Sequence, residues 1–120
     1  MSKSRWADVD NYLEGLFVPE DVALSETLRV SEEEGLDPIA VTPMQGKLLN
    51  LLVQMHGSKR VLELGVLGGY STICMARALP ADGALVTLEL VVHNAAVARR
   101  NLDAAGVGEQ VEIRVGDALD

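Results

Sequence analysis

The chain is poor in aromatic residues, which make up 3% of its 120 positions, and it has one cysteine, Cys74. A single cysteine excludes an internal disulfide and points to a reducing, cytoplasmic setting. Basic residues are also scarce. Ten Lys and Arg stand against 18 Asp and Glu, giving a formal charge of −8 and a pI near 4.6. Nucleic acid and anionic membrane surfaces are repelled by such a balance, so neither is an expected partner, whereas a small neutral or cationic ligand fits it. No apolar run approaches the roughly 18 residues of a membrane span, and no basic segment precedes an apolar core at the N-terminus. What is present is abundant Ala, Val and Leu within a 48% hydrophobic composition. That describes one small α/β domain.

The chain is organised around Arg60-Val61-Leu62-Glu63-Leu64-Gly65-Val66-Leu67-Gly68-Gly69-Tyr70-Ser71-Thr72. A short apolar run breaks at glycines and resumes as a helical pattern through Ile73, Met75, Ala76 and Leu79. A strand, a glycine turn and a helix in that order form half of a nucleotide-cofactor site. The glycines bring the backbone close to a ligand and the helix start offers free N–H groups. Glu89 follows 20 positions beyond Gly69, at the end of a second apolar run, Ala84 to Leu88. An acidic residue there is placed to hold a ribose.

Upstream, three helices are expected. Trp6, Val9, Leu13, Leu16 and Phe17 share one face of a helix from about Ala7 to Phe17, suited to packing on the domain or meeting a second subunit. Pro19 fits the first turn of a second helix, with Glu20 and Asp21 near its positive end, running to Glu34 and stopped by Gly35. The run Glu32-Glu33-Glu34 reads as a solvated face. After an extended stretch from Leu36 to Val41, Thr42-Pro43-Met44-Gln45 signals a capped helix start. Leu48, Leu49, Leu52 and Met55 form that helix's apolar stripe, Met44 and Met55 read as core filler, and Gly57 ends it.

Downstream, Val61 to Leu64 is apolar at both parities except Glu63, as in a strand covered on both faces. The Glu63 carboxylate there needs either a basic partner or a ligand. The helix after Tyr70 should extend to Pro80, and Ala81-Asp82-Gly83 makes a turn. A second strand covers Ala84 to Leu90. Asn94 is a cap for a helix from about Ala95 to Ala105, with His93 at its exposed start. Val111 to Val115 alternates strictly, as at a sheet edge. Right-handed crossovers then place three parallel strands in one sheet. The segments Gly65 to Gly69, Glu89 and Gly116-Asp117-Ala118 meet beyond the strands' carboxyl ends. A sheet of three strands leaves a hydrophobic edge of the first strand open.

Glu63-Leu64-Gly65-Val66-Leu67-Gly68-Gly69-Tyr70-Ser71-Thr72 resembles the first motif of the cation-dependent class I O-methyltransferases, the family of catechol and caffeoyl-CoA O-methyltransferases. Val41-Thr42-Pro43-Met44-Gln45-Gly46-Lys47, Val86-Thr87-Leu88-Glu89 and Val115-Gly116-Asp117-Ala118 are similar to its other blocks, and the likeness covers nearly the whole chain. The resemblance implies a Rossmann-like class I methyltransferase α/β fold, represented by its N-terminal helices and first three parallel strands. In this one domain, residues 1–57 would be the helical segment and 58–120 the first half of the cofactor-binding part. It also implies S-adenosyl-L-methionine as cofactor, a hydroxyl of a small, catechol-like aromatic as acceptor, and a homodimer built through the N-terminal helices.

Carried over by position, Glu63 and Gly65 would face the methionine part of the cofactor, with Ser71 and the Tyr70 backbone near its carboxylate and Gly69 also among the cofactor-binding residues. Glu89 would hold the ribose hydroxyls. Leu67, Leu90 and Ala118 would flank the ribose and adenine with Asp117 nearby, Val41 and Thr42 would close over the methionine end, and Ile39 would border the acceptor. The family's metal ligands, two aspartates and an asparagine for a divalent cation such as Mg2+, and its lysine base belong to a block downstream of Gly-Asp-Ala. No catalytic or metal-ligating residue is therefore assigned here. Leu90-Val91-Val92-His93 departs from the family's Asp-Pro-like turn. Two other readings remain open: a non-catalytic cofactor-binding or dimerisation module, and a nicotinamide-binding half, against which the missing G-x-G-x-x-G counts.

Overall fold

A computed structural model describes residues Ser2 to Asp120. Three helices lead the chain: α1 (Lys3–Phe17), α2 (Val22–Glu33) and α3 (Pro43–His56). The alternating part follows as β1 (Arg60–Leu64), α4 (Tyr70–Ala76), β2 (Ala84–Glu89), α5 (Val92–Ala104) and β3 (Val111–Val115). Among the described residues no helix is long and apolar enough to cross a membrane.

The strands are parallel in the order β1-β2-β3, with Leu62 beside Val86, Leu64 beside Leu88 and Thr87 beside Ile113. Two successive right-handed crossovers in the same direction put α4 and α5 on one face. There Leu85 and Thr87 are fully buried, and the core of Ile73, Ala76, Leu79, Leu102 and Val111 fills the space between. The opposite face has no such cover. Leu62 and Leu64 are 67% and 68% exposed, which corrects the expectation that β1 is covered on both sides. The open edge of β1 and the edge position of β3 both follow the sequence pattern.

Local chemistry sets the element ends, and several differ from expectation. α2 starts at Val22 rather than near Pro19, because Asp21 caps it: its carboxylate accepts the Leu24 N–H at 3.1 Å. α3 has the expected capping box, with Thr42 Oγ1 accepting the Gln45 N–H and Gln45 Oε1 accepting the Thr42 N–H. Its inner face is Gly46, Leu49, Asn50 and Val53, which keeps only Leu49 of the anticipated stripe. Leu48, Leu52 and Met55 are exposed, Met55 by 82%, so Met55 is not core filler. The cause is α4, which packs so closely that only glycine fits at 46; a Cβ there would lie 2.8 Å from Cys74 Sγ. Asn50 Nδ2 donates to the Cys74 carbonyl at 2.7 Å in the same seam.

α4 ends at Ala76, short of Pro80. The chain tightens into i→i+3 bonds from Ala78 to Met75 and from Leu79 to Ala76, since a proline at 80 has no N–H to continue the helix and clashes with the carbonyl of residue 76. α5 starts at Val92 without a side-chain cap, so Asn94 lies inside it. α1 buries none of its residues: Trp6, Leu16 and Phe17 remain more than half exposed, and packing on this domain does not account for that face.

Candidate functional site

The glycine turn joins β1 to α4 and is fixed by its neighbours. Gly65 N–H donates to the Leu88 carbonyl at 2.7 Å, and Gly116 N–H donates to the Glu89 carbonyl at 2.9 Å, so the three strand ends are stitched together beyond the sheet. Gly65 and Gly69 take φ of +88° and +99°, conformations that L side chains rarely adopt. Leu67 shares this left-handed region at φ +51°, the one non-glycine to do so among the described residues.

Glu89 is 7% exposed at the end of β2, and its carboxylate is held by backbone alone. Oε2 accepts the Leu67 N–H and Oε1 accepts the Val91 N–H, each at 3.0 Å. Among the described residues no basic side chain pairs with it. Each oxygen carries a further lone pair, so the group can still accept two donors from a ligand. The Val91 bond also explains the early start of α5: it fixes Leu90 and Val91 directly after the strand, and the helix begins at the next residue.

Of the partners anticipated for Glu63, a basic side chain is not among its contacts. Its Oε2 accepts from Ser71 Oγ at 2.7 Å, and its Oε1 accepts from Thr87 Oγ1 at 2.8 Å and from Thr72 Oγ1. Three hydroxyls from α4 and β2 thus bond a carboxylate on β1 in place of a cation. Glu63 thereby fixes the rotamer of Ser71, which itself faces the cleft.

A cleft of about 480 Å³ lies between this turn and the segment joining α2 to α3. Val41, Gly65, Leu67, Tyr70 and Ser71 line it, together with Ser31, Leu36 and Ile39. Its acidic members, Glu32 and Asp37, suit a cationic ligand. The other sequence candidates are placed around this wall. Gly69 is buried behind it at the start of α4, and Thr42 is engaged as the α3 cap. Leu90 is 69% exposed past β2. Asp117 and Ala118 are exposed after β3, where Asp117 Oδ1 accepts the Leu119 N–H at 2.9 Å.

Burial acts on two weakly acidic side chains of α4, Tyr70 on the cleft wall and Cys74 away from it. It pushes the Tyr70 hydroxyl up to about 12 and the Cys74 thiol up to about 11. The wall is further closed by contacts that the sequence pattern gave little sign of. Glu34, expected to be solvated, bonds Arg100 at 2.8 Å and offers its carbonyl to His93 Nε2 at 2.9 Å, tying the end of α2 to α5. The Arg100 guanidinium lowers the Glu34 carboxyl below its ordinary range. Asn101, buried on α5, donates to the Gly68 carbonyl at 2.8 Å. Its signal was a polar residue three positions beyond Ala98, on the helix's apolar stripe.

Comparison with known proteins agrees with this architecture. A family profile described as O-methyltransferase matches residues 16–120. A catechol O-methyltransferase from Niastella koreensis is 48% identical over 120 residues, all of this chain and 54% of that protein. Among solved structures, an O-methyltransferase from Bacillus cereus in complex with SAH superposes with a TM-score of 0.95 at 44% identity, covering 98% of this chain and 53% of that one. An O-methyltransferase from Streptomyces achromogenes, involved in tomaymycin synthesis and solved in complex with SAM, gives 0.93 at 48% identity, covering 100% and 54%. The chain spans about half the length of the relatives it matches, and shares their Rossmann-like α/β fold over that half. With its turn, its acidic strand end and the match over residues 16–120, the chain belongs to the O-methyltransferase family.

Proposed function

We propose that this chain forms the cofactor-binding half of an S-adenosylmethionine-dependent O-methyltransferase. The observation that carries the reading is the Glu89 carboxylate, buried, unpaired with a cation and pinned by the Leu67 and Val91 amides. A carboxylate so held keeps acceptor capacity for two adjacent hydroxyls, which is what a ribose presents. S-adenosylmethionine carries a methyl group on a sulfonium centre and supplies it to the acceptor. In this reading Gly65, Tyr70 and Ser71 border its methionine end, with Val41 and Thr42 closing the same side. Leu67, Leu90, Asp117 and Ala118 border the nucleoside, and Gly69 supports the turn. Glu63 acts one layer back, by orienting Ser71.

The acceptor in this reading is a hydroxyl of a small, catechol-like aromatic. Support comes from the catechol O-methyltransferase relative and the apolar wall of Leu36, Ile39 and Val41. Among the described residues no group of three His, Cys, Asp or Glu side chains is arranged to hold a metal ion. In this reading a divalent cation such as Mg2+, its ligands and the base would lie on polypeptide equivalent to the other half of the relatives, which would also cover Leu62 and Leu64. The exposed Trp6, Leu16 and Phe17 face of α1 supports a homodimer contact.

Calorimetric titration with S-adenosylhomocysteine and with NAD tests the reading. Binding of S-adenosylhomocysteine that Glu89→Ala weakens is the expected result; tighter binding of NAD overturns it.

A further inference from the structure

We propose that Asn101 is a positioning residue that holds the glycine turn in its ligand-facing conformation. Asn101 is 5% exposed, and every other buried residue of α5 is apolar: Ala95, Val97, Ala98 and Leu102. A carboxamide is costly to place there without a partner. Its partner is 33 residues away in the chain, the Gly68 carbonyl, which Nδ2 reaches at 2.8 Å.

The turn has need of such a hold. Within it, Gly69 N–H donates to Val66 at 2.9 Å, and Leu67 sits at φ +51°, where a branched side chain is strained. Such a conformation persists only where its surroundings over-determine it. Two side chains grip adjacent residues of the turn from opposite ends of the crossover: Glu89 takes the Leu67 N–H, and Asn101 takes the Gly68 carbonyl. Gly68 is also closed in from α2, since a Cβ there would lie 2.1 Å from Ser31 Oγ. Asn101 thus fixes the 68–69 peptide, two beyond the 66–67 peptide whose N–H Glu89 takes, and the two grips together limit how the backbone between them can rotate. Its influence on a cofactor rests on the function proposed above; its hold on the turn does not.

The test uses Asn101→Leu, which keeps shape and burial and removes the donor, beside Val97→Ala, which disturbs the same helix at a fully buried apolar site. Amide hydrogen exchange is read at Leu67 and Gly69 and normalised to the amides of β2. Asn101→Leu is expected to accelerate the turn amides by roughly tenfold or more, while Val97→Ala leaves them in step with β2. S-adenosylhomocysteine affinity should fall by about tenfold in Asn101→Leu and stay within about twofold in Val97→Ala. Unchanged turn exchange in Asn101→Leu, or equal acceleration in both variants, overturns the proposal. Selective acceleration without cofactor binding by the unmodified chain upholds the positioning role and overturns the cofactor reading instead. If Asn101→Leu does not fold, Asn101→Ala is read in the same way.

Discussion

The backbone N–H of Leu67 donates to Glu89 Oε2 at 3.0 Å, joining a residue of the glycine turn to the end of the neighbouring strand 22 positions later. The two ends of the candidate site are therefore one object. Leu67 bends the backbone into the left-handed region, and that bend lies beside the acceptor that receives its amide. A change on either side is felt on the other.

Glu89→Gln tests this coupling. A carboxamide has one acceptor oxygen, so its NH2 group must face either Leu67 N–H or Val91 N–H, donor against donor. Affinity for S-adenosylhomocysteine is expected to fall by about 1–3 kcal/mol, measured by calorimetry. An unaltered Kd would remove Glu89 from the account.

Thr87→Val probes the Glu63 cluster. Thr87 is fully buried and its hydroxyl reaches Glu63 Oε1 at 2.8 Å, so valine keeps the volume and deletes one of the carboxylate's three donors. Urea unfolding should show a loss of about 1–3 kcal/mol, the cost of under-satisfying a partly buried charge. No loss would mean that the carboxylate is satisfied without Thr87.

Gly46→Ala separates helix propensity from packing. On propensity alone, alanine would stabilise α3 by about 1 kcal/mol. Here its Cβ would lie 2.8 Å from Cys74 Sγ and 3.1 Å from Tyr70 Cε1, both on α4. Net destabilisation of about 1–3 kcal/mol is expected, and Cys74→Ala in the same background should recover part of it. A Gly46→Ala variant more stable than its parent would contradict the close approach of α3 and α4.

The Asp21–Arg77 pair gives a pH signature. The guanidinium beside Asp21 holds its carboxyl below the ordinary 3.8. A carboxyl whose folded pKa is depressed contributes stability that is complete above its unfolded value and is lost as pH falls through the folded one. Both side chains are about a third exposed (32% each), so the contribution at neutral pH is at most about 1 kcal/mol. The Tm difference between the parent and Arg77→Ala should be constant from neutral pH to about pH 4 and shrink below it. A difference that instead grows on acidification would refute this assignment.

The residues that announce themselves locally were legible in the sequence. The Thr42 capping box, the strand–glycine–helix order and the alternation of β3 depend on neighbours a few positions apart, and the structure reproduces them. Contacts made across the chain left weaker traces. Thr87 and Thr72 look like ordinary strand and helix positions until β1 brings Glu63 between them. The inner face of α3 follows from its seam with α4, not from where its leucines fall; Leu48 and Leu52 are exposed. Asp21 overrode Pro19 as the start of α2 because a side-chain acceptor satisfies an open N–H and a proline at the first turn does not. For Leu62 and Leu64, apolar character at both parities marked a strand built for cover on two faces; this chain supplies one.

The most direct measurement is the backbone amide NMR spectrum of the isotopically labelled chain during titration with S-adenosylhomocysteine. The Leu67 and Val91 amides report on the Glu89 carboxylate that both of them touch. The account predicts saturable shifts at these two amides with S-adenosylhomocysteine, absent with NAD and lost in Glu89→Gln. Saturable shifts elsewhere that leave Leu67 and Val91 unmoved, or the same response to NAD, would contradict it.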